Sequence, residues 1–270
     1  RYDWQEIAKY NPDYLRYVEG ERERLGDDHP LFLTQYCLMP IRGGGRFLSP
    51  QQRAQLQGEH ERMHAREEGK RYVAGIDLAG EAEEDKEAML TSPIQKRDST
   101  VITICEIQLP GQDDVIKMPS LKVVEHYRWT GTKHTELYSQ MVDLLRNTWN
   151  CSRIVVDATG IGEPVASFLR KALGSKVVAF TFSQRSKSEL GFELLAAING
   201  GRLKMYKGDG SEEAKEFWWE MEKAKSTYRA SQTMNFYVDE SEGHDDFLMS
   251  LALAVEAVSE WQPRLARGKS

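Results

Sequence analysis

A buried strand that turns directly into a helix constrains this chain more than any other feature, and Arg153 to Leu173, RIVVDATGIGEPVASFLRKAL, encodes one. The run from Arg153 to Val156 is short, continuous and rich in β-branched residues, which predicts a strand covered on both faces. Asp157 follows at its C-terminal end. Gly160 and Gly162 permit a tight turn, and Pro164 falls in the first helical turn, where its fixed φ and missing N–H cost nothing. Val165, Phe168, Leu169, Ala172 and Leu173 then share one helix face. In open α/β sheets ligands bind at the carboxyl ends of strands, so Asp157 is placed for chemistry. Asp157 can also start the turn by accepting a backbone N–H. A dinucleotide fingerprint is discounted, because Val165 holds the third glycine position and no acid ends the next strand, Val177 to Phe180.

At 270 residues the chain can bury a substantial core, and 40% hydrophobic with 29% charged residues is a globular composition. Arg1 in place of Met suggests a piece of a longer protein, with no apolar run of membrane-spanning length and no signal peptide. Cys37, Cys105 and Cys151 are odd in number and widely spaced, which favours reduced thiols over a disulfide framework. A net charge of −6 argues against a surface devoted to nucleic acid, while allowing a local basic groove.

Residues 1–70 read as a linker or helical appendage, with a basic loop at Arg42 to Arg46 and a charged helix over Pro50 to Lys70. It contains His60-Glu61-Arg62-Met63-His64, a literal HExxH. On a helix that spacing presents two imidazoles to zinc, but the flanking charges point to a solvated face. No GxxxxGK[ST] motif is present, so the chain holds no P-loop ATPase.

Residues 71–260 read as one domain, with 261–270 a polar tail. Tyr72 to Leu78 is an apolar strand carrying Asp77 inside it, and Glu81 to Asp98 is a polar loop. Thr100 to Gln108 and Leu121 to Trp129 complete an antiparallel meander. A helix over Thr135 to Trp149 crosses to the strand ending in Asp157, which therefore runs parallel to its neighbour. Val177 to Phe180 is a fifth strand. A helix over Ser188 to Asn199, a short strand Arg202 to Tyr206, a helix over Ser211 to Tyr228 with Trp218 and Trp219 in the core, and a strand Met234 to Val238 follow. The last element, Phe247 to Val258, is a helix apolar nearly all round. Asp245 or Asp246 would cap it, but one cap does not need two acids.

Asp77, Asp157, Asp245 and Asp246 thus sit at the ends or middles of buried elements. Clustered buried carboxylates repel unless a cation joins them, and hard oxygen donors suit Mg²⁺ or Mn²⁺. Two such ions about 4 Å apart would activate water and stabilise a leaving 3′ oxygen, with Asp77 bridging and Asp157, Asp245 and Asp246 holding the outer positions. The expected reaction is phosphodiester hydrolysis. Lys133, Arg185, Lys187, Arg202, Lys204 and Lys207 are the expected phosphate contacts, which position a duplex without reading its sequence.

With these residues in place, the strand order resembles the ribonuclease H-like fold. The motifs GIDLAG, VVDATGIGEP and HDDFLMSLALA resemble the C-terminal nuclease domain of the large terminase subunit of tailed bacteriophages, over roughly Lys70 to Val258. The resemblance implies an α/β fold: a mixed five-stranded sheet flanked by helices, with additional C-terminal strands and a helical N-terminal linker. It also implies a metal-dependent endonuclease that cuts concatemeric viral DNA during packaging, in the cytoplasm of the infected host bacterium. Double-stranded DNA, a packaging ATPase domain absent from this chain, the small terminase subunit and the portal are the implied partners. The metal-binding acids carry over onto Asp77, Asp157 and Asp245 or Asp246. Four alternatives stand beside it: an actin-like ATPase or kinase, another ribonuclease H-like nuclease such as a resolvase, an HExxH zinc protease, and a non-catalytic DNA-binding module.

Overall fold

The computed structural model describes residues 3–39, 44–79, 99–111, 116–132, 134–160, 162–229 and 231–259. The expected loop from Glu81 to Asp98, Lys133 and the tail 261–270 lie outside the described residues. The chain begins with three helices, α1 (Trp4–Ala8), α2 (Pro12–Leu25) and α3 (Pro30–Gln35), each opened by a side chain that accepts backbone N–H bonds: Asp3, Asn11 and His29. A two-residue strand, β1 (Gly45–Arg46), and a short helix, α4 (Pro50–Leu56) with a Ser49/Gln52 capping box, follow.

Strands β2 (Arg71–Asp77), β3 (Ser99–Gln108) and β4 (Ser120–Thr130) form the antiparallel meander. Helix α5 (His134–Asp143) ends in a π-helical turn, Leu144–Thr148, and leads to β5 (Arg153–Asp157), which pairs parallel to β2. Helix α6 (Gly162–Leu173) returns the chain to β6 (Val177–Phe180), parallel to β5. The remaining elements are α7 (Gln184–Asn199), β7 (Leu203–Lys204), α8 (Glu212–Lys223), β8 (Lys225–Tyr228), β9 (Met234–Tyr237) and α9 (Asp246–Glu256).

The main sheet therefore has six strands in the order β6-β5-β2-β3-β4-β7, one more than expected. The sixth is the Arg202–Tyr206 segment, trimmed to Leu203–Lys204 and paired parallel to β4. A second sheet, β1-β8-β9, joins the linker strand to a C-terminal hairpin. That hairpin corrects the helix expected over Ser211 to Tyr228, which stops at Lys223. Trp218 and Trp219 are half-buried and pack against the edge of the core, which Ala214, Phe217 and Met221 of that helix enter.

Period-2 alternation sorts the sheet's side chains onto two cores. Tyr72, Ala74, Ile76, Ile154 and Val156 pack with α5 and α6, whereas Val73 and Val155 pack with α7, α8 and α9. By the same alternation Asp77 and Asp157 belong to the α9 face. Helix α9 is buried from Asp246 to Val255 and lies on β2 so closely that a Cβ at Gly75 would stand 2.0 Å from the Ser250 carbonyl oxygen. Thr103 and Ser250 hydroxyls seal the contact at 2.7 Å.

The expected helix over Pro50 to Lys70 ends at Leu56, and its HExxH residues run along the sheet without helical structure. Tertiary bonds replace the helical ones. Met63 N donates to Val124 O at 2.9 Å, Lys207 N donates to His60 O at 2.9 Å, His60 Nε2 meets Val123 O at 2.7 Å, and His64 Nδ1 meets Glu125 at 2.8 Å. The two imidazoles do not share a helix face, which removes the geometry the zinc reading required. Between them Arg62 pairs with the buried Glu125 and reaches Asp209 and Glu213, each at 3.3 Å.

Helices α1–α3 gather around Trp4, Val18, Leu25, Phe32 and Tyr36 and close on Ala196 of α7. His29, fully buried, bonds Leu31 N and Phe192 O, at 3.1 and 3.0 Å. Burial pulls its pKa from 6.5 down to about 4. The unfolded chain therefore binds that proton first, so stability is full above pH 6.5 and is lost as pH falls towards 4, by up to about 3 kcal/mol. Amide protection factors in residues 3–39, corrected for the intrinsic pH dependence of exchange, should fall across this window in the wild type and not in His29→Gln; equal protection at pH 7 and pH 4 would contradict the assignment. At the other contact, Gly75→Ala should lower stability by about 3 kcal/mol or more through overpacking, read as a fall in Tm.

Candidate metal centre

Three elements deliver carboxylates to one edge of the sheet. Asp77 is the last residue of β2, not an interior one as expected, and Asp157 is the last of β5. The register Ile76↔Val156 makes them neighbours across parallel strand ends. Asp245 and Asp246 open α9, whose seat against Gly75 aims its first turn at the same edge.

Asp77 is 9% exposed, and its carboxyl is pushed well above the usual range, first by burial and then by Asp246, Asp245, Asp157 and Glu220. The four charges acting on it most strongly are all negative. Asp157 is half-buried, and burial raises it too, opposed by bonds to Thr159 and by the charge of Lys187. Its Oδ1 accepts Thr159 N at 2.8 Å, so it does start the turn, using one oxygen. The turn is compact because Gly162 lets the α6 N-terminus approach the strand: a Cβ there would stand 2.4 Å from the Asp157 carbonyl oxygen. Asp246 is 8% exposed and Oδ2 accepts Ser99 N, at the start of β3, at 2.9 Å.

The donor set is hard and entirely oxygen, which fits a divalent cation of the Mg²⁺ or Mn²⁺ type. Among the described residues no three His, Cys, Asp or Glu side chains stand close enough to hold one ion together. The aspartates thus face a common edge without converging on a point.

Two contributors were not legible in the sequence. Glu220 of α8 is 1% exposed, its carboxyl raised by burial, and Oε2 accepts Leu248 N at 2.8 Å. It resembles every other glutamate of an acidic helix in sequence, and only packing sends it to α9. Arg128 of β4 follows the register Asp77↔Val101↔Arg128 across three strands, on the face that carries Asp77. Its Nε donates to Ser99 Oγ at 3.1 Å, its guanidinium lies 5.9 Å from the Phe247 ring, and Nη1 stands 3.9 Å from Glu216. Alternation along a strand would have put Arg128 and Trp129 on opposite faces, but not said which face bears the acids.

The expected basic residues separate. Lys187, in the first turn of α7, sits near Asp157 with Nζ 5.5 Å from the Phe236 ring. A cleft of about 540 Å³ runs from Lys187 and Tyr237 past His244 to Asp245. Arg185 is exposed and pairs with Glu189 at 2.8 Å. Arg202 is only 7% exposed and gives Nη1 to Pro119 O at 3.2 Å, so it is not offered to DNA. Lys204 bonds the Gln55 carbonyl and Lys207 pairs with Glu61. The pairing Lys122↔Lys204 sets β7 beside the start of β4, eight residues and roughly 26 Å from Thr130 at the acidic edge. Lys133 lies outside the described residues. No helix among the described residues is long and apolar enough to cross a membrane.

Residues 95–257 match the family model of the terminase RNaseH-like domain. A comparison with curated protein sequences finds no match. Among solved structures, the large terminase nuclease from thermophilic phage G20c matches with a TM-score of 0.54 and 16% identity, over 78% of this chain and 97% of that one. The same nuclease with bound magnesium matches at 0.56 and 17%, over 80% and 98%. The large terminase of bacteriophage HK97 matches at 0.51 and 13%, covering 92% of this chain but 50% of that one. At such identities the structural likeness establishes the fold, a ribonuclease H-like one, while the family match rests on sequence. The chain belongs to the family of terminase RNaseH-like domains.

Proposed function

We propose that the chain is a divalent-metal-dependent endodeoxyribonuclease that cuts concatemeric viral DNA during genome packaging, with two Mg²⁺ or Mn²⁺ ions held by Asp77, Asp157, Asp245 and Asp246. The observation that carries this reading is the isolation of Asp77 among negative neighbours at a strand end, an arrangement that a cation relieves. Structures of the G20c nuclease solved with magnesium and with cobalt support divalent ions in this fold. When bound, such ions supply an activated water and stabilise the leaving 3′ oxygen.

The chain's own residues do the positioning. Asp77 offers a carboxylate from the rigid end of β2, between the Asp157 and α9 acids. The Asp157 turn holds one carboxylate oxygen against Thr159 N, which orients the other. Ser99 N fixes Asp246 in the same way. Lys187 on the Asp157 side and Arg128 on the Asp246 side flank the acids and would meet phosphates of the strand on either side of the scissile bond. Arg128 is suited to this because Ser99 and Phe247 hold its guanidinium in place. Its cutting would be tolerant of sequence, since these contacts read backbone only. The duplex, the packaging ATPase domain, the small subunit and the portal are the proposed partners, in the cytoplasm of the infected bacterium.

Digestion of supercoiled plasmid tests the reading. Nicking and linearisation should need Mn²⁺ or Mg²⁺, stop with EDTA, and fall on the order of 10²-fold or more in Asp77→Asn and Asp157→Asn. Activity that persists in EDTA, or is equal in the variants, would remove the metal nuclease. Arg128→Gln should weaken DNA binding and reduce the slope of log K against log salt by about one, as loss of one phosphate contact does. An unchanged slope would make Arg128 a structural residue only.

A further inference from the structure

Helix α9 begins with four backbone N–H groups that have no partner in the helix, and the start of this helix is buried. The obvious caps are at hand, since Asp245 occupies the cap position and Asp246 the first turn. Neither serves. Asp245 makes no side-chain capping bond, and Asp246 directs Oδ2 to Ser99 N on β3. The cap comes instead from another element. Glu220, near the end of α8, accepts Leu248 N, the third residue of the helix, at 2.8 Å. Its side chain is buried against the helix it caps, with 1% of the residue exposed.

We propose that Glu220 is a positioning residue of the metal centre: by capping α9 from α8, it releases the Asp245 and Asp246 carboxylates for cation binding. This rests on the nuclease reading above. The physical argument is a competition. A short acidic side chain at the start of a helix that accepts its own N2 or N3 amide must turn inward over the helix end, and that direction competes with the outward one that aims the carboxylate at a ligand. Buried amides left without an acceptor are costly, so removing the Glu220 oxygens draws Asp245 or Asp246 inward. The acid pair would then be spent on the helix it precedes. The arrangement also explains why two aspartates open a helix that needs one cap: with Glu220 present, it needs neither.

Calorimetric titration with Mn²⁺, alongside plasmid nicking across Mn²⁺ concentrations, tests this on wild type, Glu220→Gln, Glu220→Ala and Asp77→Asn. Glu220→Gln keeps an amide oxygen to accept the Leu248 N–H and should bind Mn²⁺ within about twofold of wild type. Glu220→Ala should bind roughly tenfold more weakly, as loss of an outer-sphere support does, with nicking restored at higher Mn²⁺. A purely structural residue would lower Tm without moving the Mn²⁺ affinity of the folded protein. Should Glu220→Ala not fold, Glu220→Asp, one methylene too short, should fall between the other two. Glu220→Ala binding Mn²⁺ as wild type does, while Asp77→Asn does not, overturns this proposal alone. Loss in Glu220→Gln equal to that in Glu220→Ala also overturns it, since Glu220 would then be a ligand itself. Wild type that binds no Mn²⁺ overturns the metal reading and this one with it.

Discussion

The seat of α9 on β2 is the contact on which the acidic edge depends. Helix and strand can approach this closely only because position 75 carries no side chain, with the Ser250 oxygen and the Ala254 nitrogen occupying the space a Cβ would need. That approach sets the height of the first turn of α9 relative to the end of β2, and so brings Asp245 and Asp246 to Asp77. It also leaves a helix start buried, which must be capped from outside if its own acids are to face elsewhere.

Gathering carboxylates has an electrostatic cost that the fold meets by local devices. Asp157 is tied by one oxygen to Thr159 N, Asp246 by one oxygen to Ser99 N, and Lys187 moderates the charge near Asp157. Arg128 shares Ser99 with the Asp246 corner through its Nε bond. Asp77 feels Asp246, Asp245, Asp157 and Glu220 together, and burial with these neighbours pushes its carboxyl well above the usual range.

The linker is part of this architecture and not a loose attachment. Its strand β1 pairs with β8, its Phe47, Leu48 and Leu56 enter the main core, and its Arg62 reaches the buried Glu125 of β4. The HExxH spacing within it is a coincidence of composition: the peptide groups around those histidines bond to β4 and to the residues after β7, and a chain that bonds outward to a sheet cannot also be a helix.

Much was legible without coordinates because local sequence enforces it. The strand Arg153–Asp157, its glycine turn and the following helix, the meander, the parallel β5 and β6, and the buried final helix follow from alternation, apolar runs and turn residues that act over a few positions. Asp77, Asp157, Asp245 and Asp246 were recognisable because acids at the ends of apolar runs need a reason. What only the tertiary structure decided is which residues meet across the chain. Lys204 lies far from the acids because β7 pairs with the start of β4, Arg202 is buried, and Arg128 and Glu220 join the acidic edge through register and helix packing. Such partners are set by long-range geometry, which no short window of sequence contains. Periodicity fixes the face a residue takes, but only the assembled sheet fixes what that face meets.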